Sequence, residues 1–144
     1  MSLEDMLLCD ELRREPATSG EIQRLLDAIK RHLEDASNDS IHAETRLEQA
    51  YHAILNCALV GLRTSGLRPN TRPGHHISIL ESMIDTIGID PSLGDYFQTL
   101  RDLRNKDIYT GGTHVSTKQV DEAIEEAAKL AEQLRAWLEA QSEG

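Results

Sequence analysis

Apolar residues recur every three or four positions through most of this chain, which is the spacing of one buried face of an α-helix. The strongest run extends from Leu47 to Leu62. Similar runs occupy residues 22–36, 77–87, 93–103 and 120–138. No segment alternates apolar and polar residues for long enough to predict a strand. The pattern therefore predicts an all-α protein, an up-and-down bundle of about five helices joined by short loops.

Short polar motifs mark the expected helix ends. Thr18 with Glu21 and Ser116 with Gln119 have the spacing of capping boxes, and Asp90 before a proline is a typical helix start. Turns and stops are expected at residues 37–40, 66, 88 and 111–112. Residues 1–16 are predicted to form an N-terminal arm or short helix, and residues 17–144 the helical bundle.

Composition limits the range of functions. The chain has 144 residues, which is the length of one ordinary domain. Its formal net charge of -10 disfavours general binding of nucleic acid, so any nucleotide site has to be a local basic patch. It lacks an apolar run of about 18 residues, so no membrane span is expected. The acidic start is unlike a secretory signal, and the isolated Cys9 and Cys57 suit a reducing compartment. A cytoplasmic location is therefore expected.

The first candidate site is a basic segment at the end of the fourth predicted helix. It contains Arg101, Arg104, Asn105, Lys106 and Tyr109. Arginine presents a fork of donors that suits phosphate, asparagine can orient a phosphate or a ribose hydroxyl, and tyrosine can stack on a base. The segment therefore predicts a nucleotide site.

Two features qualify this first candidate. It is also what a solvated helix end looks like, with Asp102 paired to Lys106 at i,i+4 and cations near the helix C-terminus. On a regular helix, Arg104 and Tyr109 lie roughly 140° apart. A site that uses both residues therefore requires a distorted helix end near residues 111–112, or a second chain.

The second candidate lies in the linker 63–76, which contains arginines but no acidic residue. Arg68, Arg72 and His75 form a positive rim suited to an anion, and a capped surface loop is the alternative. Adjacent histidines at 75 and 76 point in different directions and are poor joint metal ligands, so no metal and no cofactor are expected. A third segment, residues 111–113, lacks the lysine and the spacing of a phosphate-binding loop and is expected to be a turn.

Three blocks stand in a recognisable order along the chain: residues 43–53 (AETRLEQAYHA), residues 66–69 (GLRP) followed by His75, and residues 100–109 (LRDLRNKDIY). Together they resemble the HEPN domain family over roughly residues 20–140. The resemblance implies a small helical bundle that forms homodimers. Many such domains are encoded beside a minimal nucleotidyltransferase as toxin–antitoxin pairs. Active members are metal-independent ribonucleases whose Arg-x-x-x-x-His motifs, often with Asn after the Arg, face each other across the dimer.

Compared with that motif, Arg104 and Asn105 match the first two positions and Tyr109 stands in place of the histidine. Histidine can transfer a proton near neutral pH, whereas a tyrosine with an ordinary pKa near 10 is a poor base there. Some members of the family also have a tyrosine near this place, preceded by Lys and Asp as in Lys106-Asp107. His114 is too far along the chain to replace the missing histidine directly.

The sequence is interpreted as a dimeric nucleotide- or RNA-binding partner of a nucleotidyltransferase in a toxin–antitoxin-like module. In this interpretation Arg104 and Asn105 hold phosphate or ribose, and Tyr109 stacks or donates a hydrogen bond. One alternative is a metal-independent endoribonuclease in which Arg104, Asn105 and Tyr109, or a relocated histidine, are catalytic. Another is a protein-interaction scaffold without a nucleotide site.

Overall fold

Helices dominate the computed structural model, which describes residues 1–111 and 115–143. In chain order the elements are α1 (Leu3–Leu8), β1 (Leu12–Arg14), α2 (Ser19–Ala36), α3 (Ala43–Thr64), β2 (Leu67–Pro69), α4 (His75–Glu81), a 3-10 turn (Ser82–Ile84), α5 (Pro91–Thr110) and α6 (Thr117–Glu143). The predicted all-α class is confirmed at this level. Within the described ranges, no helix combines the length and the apolar character needed to cross a bilayer.

Helix α3 is the centre of the bundle because it is apolar around most of its circumference. Helices α2 and α6 pack along it, and α4 and α5 contact its remaining sides. Its buried apolar side chains are Leu47, Ala50, Tyr51, Ala53, Ile54, Cys57, Ala58, Val60 and Leu62. Because α5 packs against α3, side chains at the partly exposed positions of α3 lie close to α5.

The N-terminal arm contains both a short helix and a strand. Strand β1 pairs antiparallel with β2, with Arg13 opposite Arg68. The expectation that residues 63–76 form an irregular linker without a strand was therefore wrong at β2, and Arg63 and Thr64 still belong to α3. Strands of three residues are too short to show alternation, and their pairing partner is remote in sequence.

The predicted caps at Thr18, Asp90 and Ser116 are found, and the side chain of Glu21 has a different partner from the one expected. Ser116 and Gln119 exchange both hydrogen bonds of a capping box. Thr18 Oγ1 accepts from the Glu21 amide at 3.1 Å. The Glu21 carboxylate, however, does not reach back to Thr18 and instead binds Arg63. An arginine offers two charge-assisted bonds, which are stronger than the single bond a neutral amide offers.

Two helix boundaries differ from the prediction. The residue that caps α3 is His42, without a side-chain hydrogen bond, rather than a residue of the turn at 37–40. The third predicted helix does not continue regularly to Ile87, because α4 ends at Glu81 and the chain tightens into the 3-10 turn. Apolar spacing near three residues fits either geometry, so the pattern did not separate them.

Candidate functional site

An open groove of about 330 Å³ lies between the loop that leads into α4 and the middle of α5. Its polar lining consists of Arg72, His75, His76, Arg101 and Asn105. Arg101 and Asn105 stand four residues apart on α5 and so face the same side of the helix. This α4–α5 groove brings together two arginines, two imidazoles and one amide from two segments of the sequence.

The loop side of the groove is held by local backbone geometry and by the N-terminal arm. Gly74 precedes α4 with φ 76°, a left-handed conformation that favours glycine. The amide of His75 donates to the Arg72 carbonyl at 3.1 Å, and His75 Nδ1 lies 2.9 Å from the same oxygen. Arg72 Nη1 donates to the carbonyl of Cys9 at 2.6 Å. The arm therefore fixes where Arg72 and His75 sit.

The helical side of the groove is presented by α5. Arg101 Nε donates to Gln98 at 3.1 Å, and its Nη2 contacts the exposed Asp102 at 2.9 Å. The expected pairing of Asp102 with Lys106 is thus replaced by a contact with Arg101, and Lys106 is exposed. Neither contact of Arg101 is with a buried carboxylate, so its charge remains available to a ligand.

Tyr109 lies one helical turn beyond Asn105 and is 87% exposed. Helix α5 continues without a break to Thr110 and ends at Gly111 with φ 89°. The distorted helix end that would bring Tyr109 round to Arg104 is therefore not present. Tyr109 instead follows Arg101 and Asn105 along the same stripe of α5, and four residues of helix place it about 6 Å past Asn105 along the axis.

Arg104 is paired with a carboxylate of α3. Its Nε and Nη2 donate to the two oxygens of Glu48 at 2.8 Å and 2.7 Å, and its guanidinium lies 5.2 Å from the centre of the Tyr51 ring. Its Nη1 donates to Asn105 Oδ1 at 3.2 Å. The fork assigned to phosphate is thus occupied by a carboxylate, and Arg104 orients Asn105 as a positioning residue.

The Glu48 carboxylate is strongly held. Hydrogen bonds from Arg104, and then from His52, lower its pKa to about 2. His52 Nε2 lies 3.0 Å from Glu48 Oε1, one helical turn away on α3. Glu48 therefore stays charged at neutral pH and neutralises most of the field of Arg104.

Tyr51 and His76 form a partly buried contact beside the groove. The Tyr51 hydroxyl lies 3.0 Å from His76 Nδ1, so this buried tyrosine on α3 has a hydrogen-bond partner. Burial raises the pKa of Tyr51 to about 12. Burial, and then the positive charges of His75 and Arg104, lower the pKa of His76, which is therefore neutral at pH 7. Because the contact uses Nδ1, the other ring nitrogen is left for the groove.

Arg68 does not join this groove. Its Nη2 donates to Glu21 at 2.7 Å, its Nε donates to Glu15, and it lines a different cavity. The second predicted candidate thus divides. Arg72 and His75 enter the groove together with Arg101 and Asn105, and Arg68 belongs elsewhere.

The site residues predicted from the sequence did not include three residues that the structure places at or beside the groove: Glu48, His52 and His76. The spacing of Glu48 and His52 is that of a helical pair and could have indicated the first two. His76 was considered from the sequence only as a metal ligand beside His75, and its ring centre lies 4.8 Å from that of His75, edge to face. In the part of the chain that the structure describes, no three His, Cys, Asp or Glu side chains are grouped so that they could hold a metal.

The predicted turn at 111–113 lies partly outside the described residues. Gly111 caps α5, whereas Gly112, Thr113 and His114 are among the residues that the structure does not describe.

Comparison with known proteins gives no match: no family model, no curated protein and no solved structure resembles this chain significantly. The resemblance to HEPN domains therefore depends on the three sequence blocks. The function is best argued from the chemistry of the groove.

Proposed function

We propose that this protein binds a nucleotide or a short stretch of RNA in the α4–α5 groove. The observation that carries this proposal is the convergence of Arg72, His75, His76, Arg101 and Asn105 on one cavity of about 330 Å³. Planar guanidinium groups bind phosphate through paired hydrogen bonds, and an amide can bind a ribose hydroxyl.

The charge around the groove supports an anionic ligand. The chain as a whole has a formal net charge of -10, so a groove lined by two arginines is a local reversal of sign. Glu11 lines a small adjoining recess, where its carboxylate accepts a hydrogen bond from Ser78. An acidic surface that surrounds a basic groove repels nucleic acid elsewhere and so confines binding to that groove.

Tyr109 supports a ligand that carries a base. An aromatic ring that is 87% exposed gains little from its own fold, and it stands at the end of the stripe formed by Arg101 and Asn105. A base bound there would stack on the ring while its phosphate contacts the groove. The ligand therefore extends along α5 toward its C-terminal end.

The partner assignments follow the HEPN resemblance. In this proposal the protein forms a homodimer and acts with a nucleotidyltransferase in a toxin–antitoxin-like module. Ile108, which is 54% exposed, offers an apolar contact at the end of α5. The dimer is tested by measuring the mass of the wild type and of Ile108→Lys by sedimentation. The wild type is expected to sediment as a dimer and the variant as a monomer.

The binding proposal is tested with a fluorescein-labelled single-stranded RNA in an anisotropy titration at low salt, with AMP as competitor. Arg101→Gln removes one phosphate contact and is expected to weaken binding about tenfold, which corresponds to about 1.4 kcal/mol. Arg31→Gln is the matched control, because Arg31 is exposed on α2 and makes no ion pair or hydrogen bond with residues in the described ranges. Absence of RNA binding by the wild type would leave the scaffold alternative.

A second candidate function is metal-independent RNA cleavage, and the paired imidazoles of the groove favour it. His76, neutral at pH 7, is suited to remove a proton from a ribose 2′-hydroxyl, and His75 beside it to protonate the leaving oxygen. Arg101 would stabilise the charge that develops on the phosphorus oxygens. This arrangement does not require Tyr109 as a base.

Cleavage of labelled RNA in the presence of EDTA separates the two functions. An enzyme is expected to lose cleavage in His76→Asn while it still binds RNA, and to keep cleavage in Tyr109→Phe. If the wild type binds RNA without cutting it, the protein is a binding module.

A further inference from the structure

A second cavity, of about 430 Å³, lies on another face of the molecule, between the start of α2, the end of α3 and the two-stranded sheet. Its lining includes the four arginines Arg13, Arg24, Arg63 and Arg68. We refer to it as the arginine cavity. Nothing in the proposed function uses it, although it is larger than the α4–α5 groove.

Two of the four arginines are committed to the fold. Arg63 is 2% exposed, and its five N–H groups donate to the Glu21 carboxylate and to the carbonyls of Glu15, Pro16 and Leu67. Arg68 is held by the carboxylates of Glu15 and Glu21. These two carboxylates are therefore already shared between Arg63 and Arg68.

The other two arginines retain donors for a ligand. Arg13 donates once to Asn70 at 2.6 Å, and its Nε lies 3.6 Å from Glu15. Arg24 is exposed and makes no ion pair or hydrogen bond with any residue in the described ranges. With four guanidinium groups against two carboxylates, the arginine cavity has an excess of positive charge.

The lining also has an apolar part. Leu25, Leu59 and Pro69 provide a hydrophobic wall beside the guanidinium groups, and Glu21 and Thr71 complete the lining. A few charged groups beside an apolar wall are typical of a site for a small amphipathic molecule. A bare inorganic anion would leave this wall exposed to water, so the lining favours an anion attached to an apolar body.

We propose that the arginine cavity binds a small organic anion, a phosphate monoester or carboxylate on an apolar or aromatic body. Arg24 and Arg13 bind the anionic group, and Leu25 and Leu59 contact the apolar part. Arg63 and Arg68 hold the cavity open and add to its positive field. This site is independent of RNA binding at the α4–α5 groove.

Calorimetric titration of the full chain with phenyl phosphate, benzoate, inorganic phosphate and benzyl alcohol tests the proposal. Phenyl phosphate or benzoate is expected to bind at least fivefold more tightly than either inorganic phosphate or benzyl alcohol. The anion that binds better identifies the anionic group. Equal binding of inorganic phosphate would refute the role of the apolar wall.

Two variants locate the binding. Arg24→Gln is expected to weaken phenyl phosphate binding at least fivefold and to unfold at the same urea concentration as wild type, because Arg24 makes no contact that the fold needs. Arg31→Gln, on the same helix, is expected to bind as wild type does. Unchanged binding by Arg24→Gln, or an equal loss of binding in Arg31→Gln, would overturn the assignment. Failure of the groove to bind RNA would not alter these results.

Discussion

Replacing Glu48 by Gln separates the structural role of the Arg104 ion pair from the electrostatics of the groove. The substitution keeps the size of the side chain and one acceptor oxygen, but it removes the negative charge that two Arg104 nitrogens bind at 2.8 Å and 2.7 Å. The side chains of Arg104 and Glu48 are 20% and 28% exposed, which lies between a surface pair and a buried pair. We therefore expect a loss of about 2 kcal/mol of unfolding free energy, between the values typical of those two classes.

The pH dependence of this loss has a defined sign. The pKa of Glu48 is about 2 in the folded protein against 4.5 for an ordinary glutamate in an unfolded chain, so the unfolded state binds the proton first as the pH falls. The stabilisation is complete above about pH 4.5 and disappears between about pH 4.5 and pH 2. The difference between wild type and Glu48→Gln is therefore expected to shrink through this window.

Anion binding is expected to change in the opposite direction. Without Glu48 the charge of Arg104 is no longer neutralised, and one unit of charge across a solvated groove contributes about 0.5–1 kcal/mol. RNA binding at neutral pH should then strengthen two- to fivefold in the variant, although its fold is weaker.

Urea unfolding at a series of pH values and anisotropy at pH 7 measure the two effects on the same variant. The matched control is Glu34→Gln, since Glu34 is exposed on α2 and makes no ion pair or hydrogen bond within the described ranges. A loss of stability below 0.5 kcal/mol, or weaker RNA binding in Glu48→Gln, would refute the reasoning.

Three further outcomes follow from the same structure. Tyr109→Ala is expected to weaken RNA binding about tenfold and Tyr109→Phe to leave it unchanged, because stacking needs the ring and not the hydroxyl; equal losses in an anisotropy titration would contradict stacking. Arg63→Met is expected to lower the free energy of unfolding in urea by about 3–5 kcal/mol, because three carbonyls and a carboxylate lose a buried partner. The exposed Arg14→Met should change it by no more than about 0.5 kcal/mol. A loss below about 1 kcal/mol for Arg63→Met would show that the hydrogen bonds of Arg63 do not stabilise the fold. His76 has a pKa below 6.5 in the folded protein, so the free energy of unfolding should fall as the pH drops below about 6.5, and anion binding between pH 6 and 7 should be accompanied by proton uptake. Calorimetry in buffers of different ionisation enthalpy should show less proton uptake in His76→Asn than in the wild type. Equal uptake would exclude His76 as the group that takes up the proton.

The sequence predicted the fold well where local signals act. Five amphipathic helices were visible because each buries one face against the same core, and the Ser116–Gln119 box and the Asp90 cap are found where they were expected. The β1–β2 pair was not predictable, because its stability comes from a partner about 55 residues away and from the arginine network below it.

The sequence predicted which basic segments contribute to the site, but not which of their side chains lie together. The sequence located both basic segments, and the structure joins Arg72 and His75 of one to Arg101 and Asn105 of the other. It did not show that Arg104 would pair with Glu48, since the two residues are 56 positions apart in the chain. Helix packing decides which basic side chain pairs with which carboxylate, and the spacing of residues in the sequence does not predict it.

That division between paired and free arginines also determines where a ligand can bind. A phosphate that approaches Arg104 has to displace a bidentate carboxylate, and it would leave Glu48 partly buried without its partner at a cost of a few kcal/mol. A phosphate that approaches Arg101 displaces only an amide and an exposed carboxylate, contacts that contribute little. The same reasoning separates Arg24 from Arg63 in the arginine cavity. Ligand affinity in this acidic protein therefore depends less on how many arginines line a cavity than on which of them lack a buried carboxylate.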